Sequence, residues 1–344
     1  MFAVGDAVRG FFLVFGLVFG VVALSLVHPS PAGAASKTFP QFLKQVRAEA
    51  MSKGISRQTA EAALPDSLRP IPRVLELDKK QPEKTRTFDQ YVQSIVSQVR
   101  VDQGRSNFSR NSSVLNSVAE TYGVEPQVIV ALWGIETNYG KNTGGFEIIP
   151  ALATLAWDGR REAFFKDELF KALKIVDEGH IHIHDMKGSW AGAMGQSQFM
   201  PSSFLRFAQD YNNDGRRDIW NTTSDVFASA ANYLSQSGWK KGQPWGREVK
   251  LPQGFDRKLI GLEQHRSLQF WHDLGIRSSS GKGVPFEGAY YASIVQPGGE
   301  GTVAYMVYDN YKVIMKWNKS TYFATAVGLL SDRVHNGKPD TLIR

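Results

Sequence analysis

One segment sets the terms for any fold of this chain. Residues 126–137 read Pro-Gln-Val-Ile-Val-Ala-Leu-Trp-Gly-Ile-Glu-Thr, an apolar run that carries a single acid near its end. Gly123 stops the preceding helix, and Pro126 suits the first turn of the next, where no amide donor is needed. On that helix Ile129, Leu132, Trp133 and Glu136 share one face. The fold must therefore seat a carboxyl among apolar side chains. Desolvation disfavours the charged form, so such a group keeps its proton towards neutral pH. A protonated carboxylic acid is what a glycosidic oxygen needs in order to leave. A surface Glu closing an ordinary core helix is the other reading, and the helix alone does not separate the two.

A second segment does. Residues 188–204 run Gly-Ser-Trp-Ala-Gly-Ala-Met-Gly-Gln-Ser-Gln-Phe-Met-Pro-Ser-Ser-Phe. Together with Trp133-Gly134-Ile135-Glu136-Thr137-Asn138-Tyr139-Gly140, and with Trp317-Asn318, Ser320 and Ala324 near the C-terminus, it resembles the lytic murein transglycosylase B family over roughly residues 38–335. The acid motif by itself is shared with goose-type lysozymes; the Ala191–Phe204 run is long and specific. The resemblance implies a mainly α (α+β) fold: a lysozyme-like helical core, an N-terminal helical segment and a small C-terminal β-containing lobe.

The periodicities agree with that division. Residues 1–35 read as a signal peptide, with Arg9, an apolar stretch from Phe11 to Val27, and small residues to Ala35. An uncleaved anchor is the alternative, and both place the folded part outside the cytoplasmic membrane, in the periplasm. Residues 36–120 are helical, with Phe39, Phe42, Leu43 and Val46, then Phe88, Tyr91, Val92, Ile95 and Val99, at helical spacing. Residues 121–245 form the catalytic core. Its helices are expected over 126–137, 161–178 (stripe Phe164, Leu169, Leu173, Val176), 202–211 and 224–238. Residues 246–344 hold strands at 248–251, 291–296, 303–307 and 311–316, a hairpin turn at Pro297–Gly301, and a closing helix from Ser320 to Val334.

Charge narrows the partners. The chain has 344 residues and a net charge of +7 from 40 basic and 33 acidic residues, and no Cys. Basic residues are not interleaved with aromatics in any tract, so nucleic acid is a poor partner and an acidic polymer a good one. Peptidoglycan glycan strands, anionic through their lactyl-peptide carboxylates, fit; other cell-wall enzymes are further candidate partners. The missing Cys removes thiolate metal sites, Cys nucleophiles and a lipoprotein anchor.

Hydrolytic glycosidases usually pair two carboxylates. Asp158 and Glu162 lie in a polar segment, Asp167 and Glu168 on a surface-like helix face, and Asp185 in a turn, so none matches the setting of Glu136. A one-acid mechanism follows as plausible, and the resemblance implies one. Glu136 protonates the oxygen between N-acetylmuramic acid and N-acetylglucosamine, then takes the C6 hydroxyl proton as a 1,6-anhydro ring closes. No cofactor is required. The resemblance also places Ser189 and Gln198 at the substrate, although either side chain could instead satisfy its own loop. It makes Asn318 and Trp317 substrate-binding residues of the cleft. Here the chain departs from the family: Trp317 and Phe323 stand where tyrosines are expected, which puts any role of those phenols in doubt. Trp190 suits stacking on a sugar or packing equally; Met194, Phe199 and Met200 suit the core.

Residues 210–221 place oxygen donors as a calcium loop does, at Asp210, Asn212, Asp214, Arg216 (through its carbonyl), Asp218 and Asn221, with Gly215 at the sharp turn. Asn221 in place of a bidentate carboxylate, and the cations Arg216 and Arg217, weaken it; a turn held by Asx-type hydrogen bonds is the alternative. His180, His182 and His184 alternate as zinc ligands on a strand would, but they sit in a connector without a fourth ligand. The expectation is an exported single-acid lytic transglycosylase. A muramidase hydrolysing the same bond and a catalytically weak wall-binding scaffold are the alternatives.

Overall fold

The computed structural model describes residues 37–80, 86–282 and 290–335; the signal-peptide reading of residues 1–35 lies outside them. The chain opens with α1 (Phe39–Ser52), α2 (Arg57–Ala63) and α3 (Pro72–Lys79). Thr38 and Gln41 form a capping box at α1, which buries Phe39, Phe42, Leu43 and Val46 as their spacing requires. Then come α4 (Phe88–Ile95), α5 (Gln98–Arg110) and α6 (Ser112–Tyr122). Val99, placed by spacing in the α4 stripe, is 66% exposed. The helix breaks at Ser97, which caps α5, and the phase restarts there to bury Val101 and Gly104 instead. Gly123 ends α6 in the left-handed conformation, φ 69°.

The acid-bearing helix α7 (Pro126–Thr137) has the expected bounds, and every residue from Gln127 to Thr137 is buried. It is followed by β1 (Phe146–Glu147), α8 (Ile148–Asp158), α9 (Glu162–Asp177) and β2 (Lys187–Gly188), then α10 (Pro201–Phe207) and α11 (Thr223–Gln236). Two details differ from expectation. Phe165 rather than Phe164 faces the core, Phe164 being 41% exposed. α10 is shorter than the expected 202–211, ending at Phe207 before an extended Ala208.

The C-terminal part holds β3 (Gly246–Lys250), β4 (Gly261–Ser267), α12 (Leu268–Asp273), β5 (Arg277–Ser278), β6 (Tyr291–Val295) and β7 (Ala304–Val307). They form an antiparallel sheet in the order β4-β6-β7-β3-β5. Residues 311–316 are not a strand. They lie in α13 (Asp309–Trp317), with Tyr311 and Ile314 buried one turn apart. α14 (Thr321–Val334) follows, capped by Ser320.

Three hydrophobic clusters organise these elements. One surrounds α7 with residues of α4, α5, α6, α11, α13 and α14. A second joins α1–α3 to α8–α10. The third fills the β lobe around Trp271 and Tyr308. The N-terminal helical region is thus shared between two cores. The closing helix packs on α7 rather than on the sheet.

Candidate active site

The end of α7 shows why Glu136-Thr137-x-x-Gly140 is one motif. Asn138, Tyr139 and Gly140 are all left-handed, with φ 50°, 60° and 81°. Three such residues in succession throw the chain back across the helix. Thr137 secures the turn: its Oγ1 accepts from the Gly140 amide at 3.1 Å and donates to the Gln196 carbonyl at 3.0 Å. The Tyr139 hydroxyl donates to the Arg100 carbonyl at 2.7 Å. A Cβ at position 140 would land on the Gln196 side chain, so glycine is required for that close approach.

The 188–204 segment makes a tight hairpin over the acid. Met194 and Phe199 exchange amide–carbonyl bonds of 2.8 and 3.1 Å, enclosing the four-residue loop 195–198. Gln196 rivets this loop to α7: its Oε1 accepts from Trp133 Nε1 at 2.8 Å, and its Nε2 donates to the Trp220 carbonyl at 2.7 Å. Sequence reasoning passed over Gln196. The legible signal was a Gly facing a polar side chain across two tight turns.

Glu136 itself is 7% exposed. Burial pushes its carboxyl up from 4.5 to about 8, and a hydrogen bond from Trp317 opposes the rise. Trp317 Nε1 donates to Glu136 Oε1 at 2.8 Å, across 181 residues of sequence. This answers the doubt over the missing phenols: the indole N–H supplies a donor to the acid. Its ring is set by Phe199 at 5.2 Å and Tyr233 at 4.8 Å between centroids, while the Tyr233 hydroxyl donates to the Lys316 carbonyl at 2.7 Å. Phe323 is buried in the core around α7 and supplies packing alone. A phenol does approach from elsewhere: Tyr91 on α4 feels the charge of Glu136, and burial together with that charge pushes its hydroxyl well above its ordinary value. Its spacing in the sequence marks Tyr91 only as one residue of a helical stripe.

A small cavity of about 10 Å³ beside the acid is lined by Ile129, Trp133, Gln196, Ser197, Phe227 and Trp317 among others, with Glu136 the one acid among the described residues of its wall. Other buried carboxyls exist, but they are engaged elsewhere. Glu168, expected on a surface, is buried and accepts from the Ser202 amide at 2.9 Å, which fixes the start of α10. Asp332 is raised to about 7 by burial and accepts from Trp245 Nε1 at 3.0 Å.

The other expected site residues fall as follows. Ser189 Oγ accepts from the Ala193 amide at 3.0 Å. Gln198, left-handed at φ 49°, donates through Nε2 to the carbonyls of Thr143 and Gly195 at 3.0 and 2.9 Å. Both thus brace the loop, and the Gln198 oxygen is the part of that amide left for a ligand. Asn318 ends α13 and accepts from the Ser320 amide at 3.1 Å. Trp190 packs, partly buried, against the second cluster.

The 210–221 loop is a set of Asx turns. Asp210 accepts from the amides of Asp214 and Gly215, Asn212 from that of Asp214, Asp214 from that of Arg216, and Asp218 from those of Trp220 and Asn221. Among the described residues no three His, Asp or Glu side chains converge as a metal site. The Asp210 and Asp214 oxygens that accept these amides each keep a further lone pair. His180 contacts Arg217, and His184 contacts Glu147, so the alternating histidines serve separate partners.

The chain matches the transglycosylase SLT domain model over residues 38–332. It is 32% identical over 251 residues to the membrane-bound lytic murein transglycosylase B of Escherichia coli K12, covering 71% of this chain and 66% of that protein, so it spans just under two thirds of the relative's length. SltB3 from Pseudomonas aeruginosa, solved in complex with NAG-anhNAM-pentapeptide, superposes with a TM-score of 0.85 at 40% identity, over 88% of this chain and 80% of that one. Slt35 from Escherichia coli, solved in complex with calcium, gives 0.74 at 28% identity, over 86% and 93%.

Proposed function

Since the chain belongs to the transglycosylase SLT domain family, we propose that it is an exported lytic transglycosylase that cleaves peptidoglycan glycan strands with Glu136 as its single acid and base. The observation that carries this reading is the acid's setting. Glu136 is buried, held near 8, and hydrogen-bonded at Oε1 by the Trp317 indole. At neutral pH it is therefore protonated and able to give its proton to the glycosidic oxygen as the bond to the muramic C1 breaks. The substrate's N-acetyl carbonyl stabilises the cationic sugar. The carboxylate then takes the proton of the C6 hydroxyl, whose oxygen bonds to C1. The proton count closes on Glu136, and no water is consumed.

Mass spectrometry of released muropeptides tests this. Anhydro-ends, lighter by one water than reducing ends, are expected throughout; reducing ends would assign a muramidase. The relative's printed name makes that protein membrane-bound, and no helix among the described residues is long and apolar enough to cross a membrane. For this chain, action in the periplasm is the reading that the residues 1–35 pattern supports.

Calcium has no step in this chemistry. The Asp210 and Asp214 oxygens that accept amides each keep a further lone pair, so the loop can take an ion without giving up its turns. If it does, millimolar calcium raises the melting temperature modestly and Asp214→Ala abolishes the rise; no shift with calcium or chelator would make it a polar turn.

A further inference from the structure

The chain has eight Trp, and seven of them donate through Nε1 to a protein acceptor at 2.7–3.0 Å. Trp190 is the eighth. Among the described residues its N–H has no acceptor, and it is not a buried orphan as the Ser197 hydroxyl is, so it meets solvent. The rest of the ring is half-buried and packs on the second cluster. Tryptophan with its apolar body held and its polar tip wet is enriched where proteins meet a partner.

The turn that carries Trp190 is rigid and adjoins the acid's loop. Trp190 is second in the turn Ser189–Gly192, closed by the Gly192 amide on the Ser189 carbonyl at 3.2 Å. The Ser189 amide donates to the Ala193 carbonyl at 2.8 Å, and Ser189 Oγ accepts from the Ala193 amide at 3.0 Å. Gln198 Nε2 donates to the Thr143 carbonyl. The next residue, Gly144, packs on the Gly188 carbonyl and the Ser189 amide so closely that no Cβ fits. A short run of contacts therefore leads from Gln198 through Thr143 and Gly144 to the Trp190 turn.

We propose that Trp190 is a substrate-contact residue: its indole N–H donates to a carbonyl oxygen of the bound glycan strand, on the Gln198 side of Glu136. The assignment rests on the chain acting on peptidoglycan. Such strands offer two kinds of carbonyl, the N-acetyl group of each sugar and the lactyl-peptide group of muramic acid, and either accepts from an N–H. The side-chain amides of this segment are committed to the framework: Gln196 Nε2 holds the Trp220 carbonyl, and Gln198 Nε2 holds those of Thr143 and Gly195. The Trp190 N–H is committed to nothing. Because its turn is already fixed, little ordering is left to oppose binding when the strand arrives. No bond is made or broken in this contact.

Trp190→Phe keeps a ring on the second cluster and deletes the donor. Strand binding is expected to weaken about three- to tenfold, read as a raised KM with kcat little changed, at an unchanged melting temperature. Hydrogen exchange of the indole groups reads the contact directly in tryptophan-labelled Glu136→Gln protein, where strands bind uncut. The signal that Trp190→Phe removes should exchange with water fastest of the eight and slow when glycan is added. Peptide-free chitooligosaccharide and peptide-bearing glycan strands are the two probes. Slowing with both assigns the N-acetyl carbonyl; slowing with peptide-bearing strands alone assigns the lactyl-peptide carbonyl. An indole whose exchange neither probe alters while the probes bind would overturn the assignment, and so would a wild-type KM in Trp190→Phe. Those outcomes condemn Trp190 alone. Failure of the wild type to release anhydro-ends condemns the proposed reaction.

Discussion

Glu136→Gln is expected to abolish lysis of purified cell wall while the protein folds at least as well as the wild type. Gln matches the carboxyl in size and cannot give a proton. General acid–base catalysis typically supplies about 10²–10⁴-fold, and here one group acts in both halves of the reaction. Lysis within about tenfold of wild type would remove Glu136 from the mechanism. The same variant reads the acid's environment through stability. A carboxyl raised in the fold to about 8 from 4.5 binds its proton more tightly in the native state than in the unfolded chain. Its contribution is fully present below about 4.5 and is lost as pH rises through about 8. The amide variant lacks this loss. It should melt close to wild type below about pH 4.5 and increasingly above it as the pH rises from there to about 8, and equal melting temperatures across that window would contradict the burial of the acid.

Trp317→Phe is expected to have the next largest effect. It keeps an aromatic ring against Phe199 and Tyr233 and removes the one donor seen on Glu136. A hydrogen bond to a charged group is worth about 1.5–3 kcal/mol, so turnover should fall by about 10–100-fold with KM little changed. The sign for pH is fixed: the indole N–H favours the carboxylate, so without it the acid is held still higher and the alkaline limb moves up. A lower melting temperature with unchanged turnover per folded molecule would mean that Trp317 is only packing. Phe323→Tyr would bury a hydroxyl in the core around α7 rather than bring a phenol to Glu136.

What the sequence made legible was local and periodic. The bounds of α7 follow from Gly123, Pro126 and an unbroken apolar run, and the apolar setting of Glu136 follows from spacing along one helix. The strand expected at 311–316 failed because Tyr311 and Val313 alternate as in a strand, while Tyr311 and Ile314 also lie one helical turn apart; packing against α14 decides between the two. Glu168 looked superficial because its partner, the Ser202 amide, lies 34 residues away. The same holds for the acid's own donor. The sequence puts Trp317 among the substrate-binding residues, where a tyrosine is expected, and nothing local says that an indole N–H lands on a carboxyl 181 residues earlier.

That long span has a consequence for when the enzyme comes into being. Until α13 delivers Trp317 and α14 covers α7, the acid's helix lacks part of its wall and Glu136 meets water. A wetted glutamate ionises as any other does, near 4.5. A chain still being made therefore has the acid but not its acidity at neutral pH. Competence to cut arrives with the last helices, as a property of completion. For a protein proposed to cut cell wall, that order of events keeps unfinished and unfolded copies inactive.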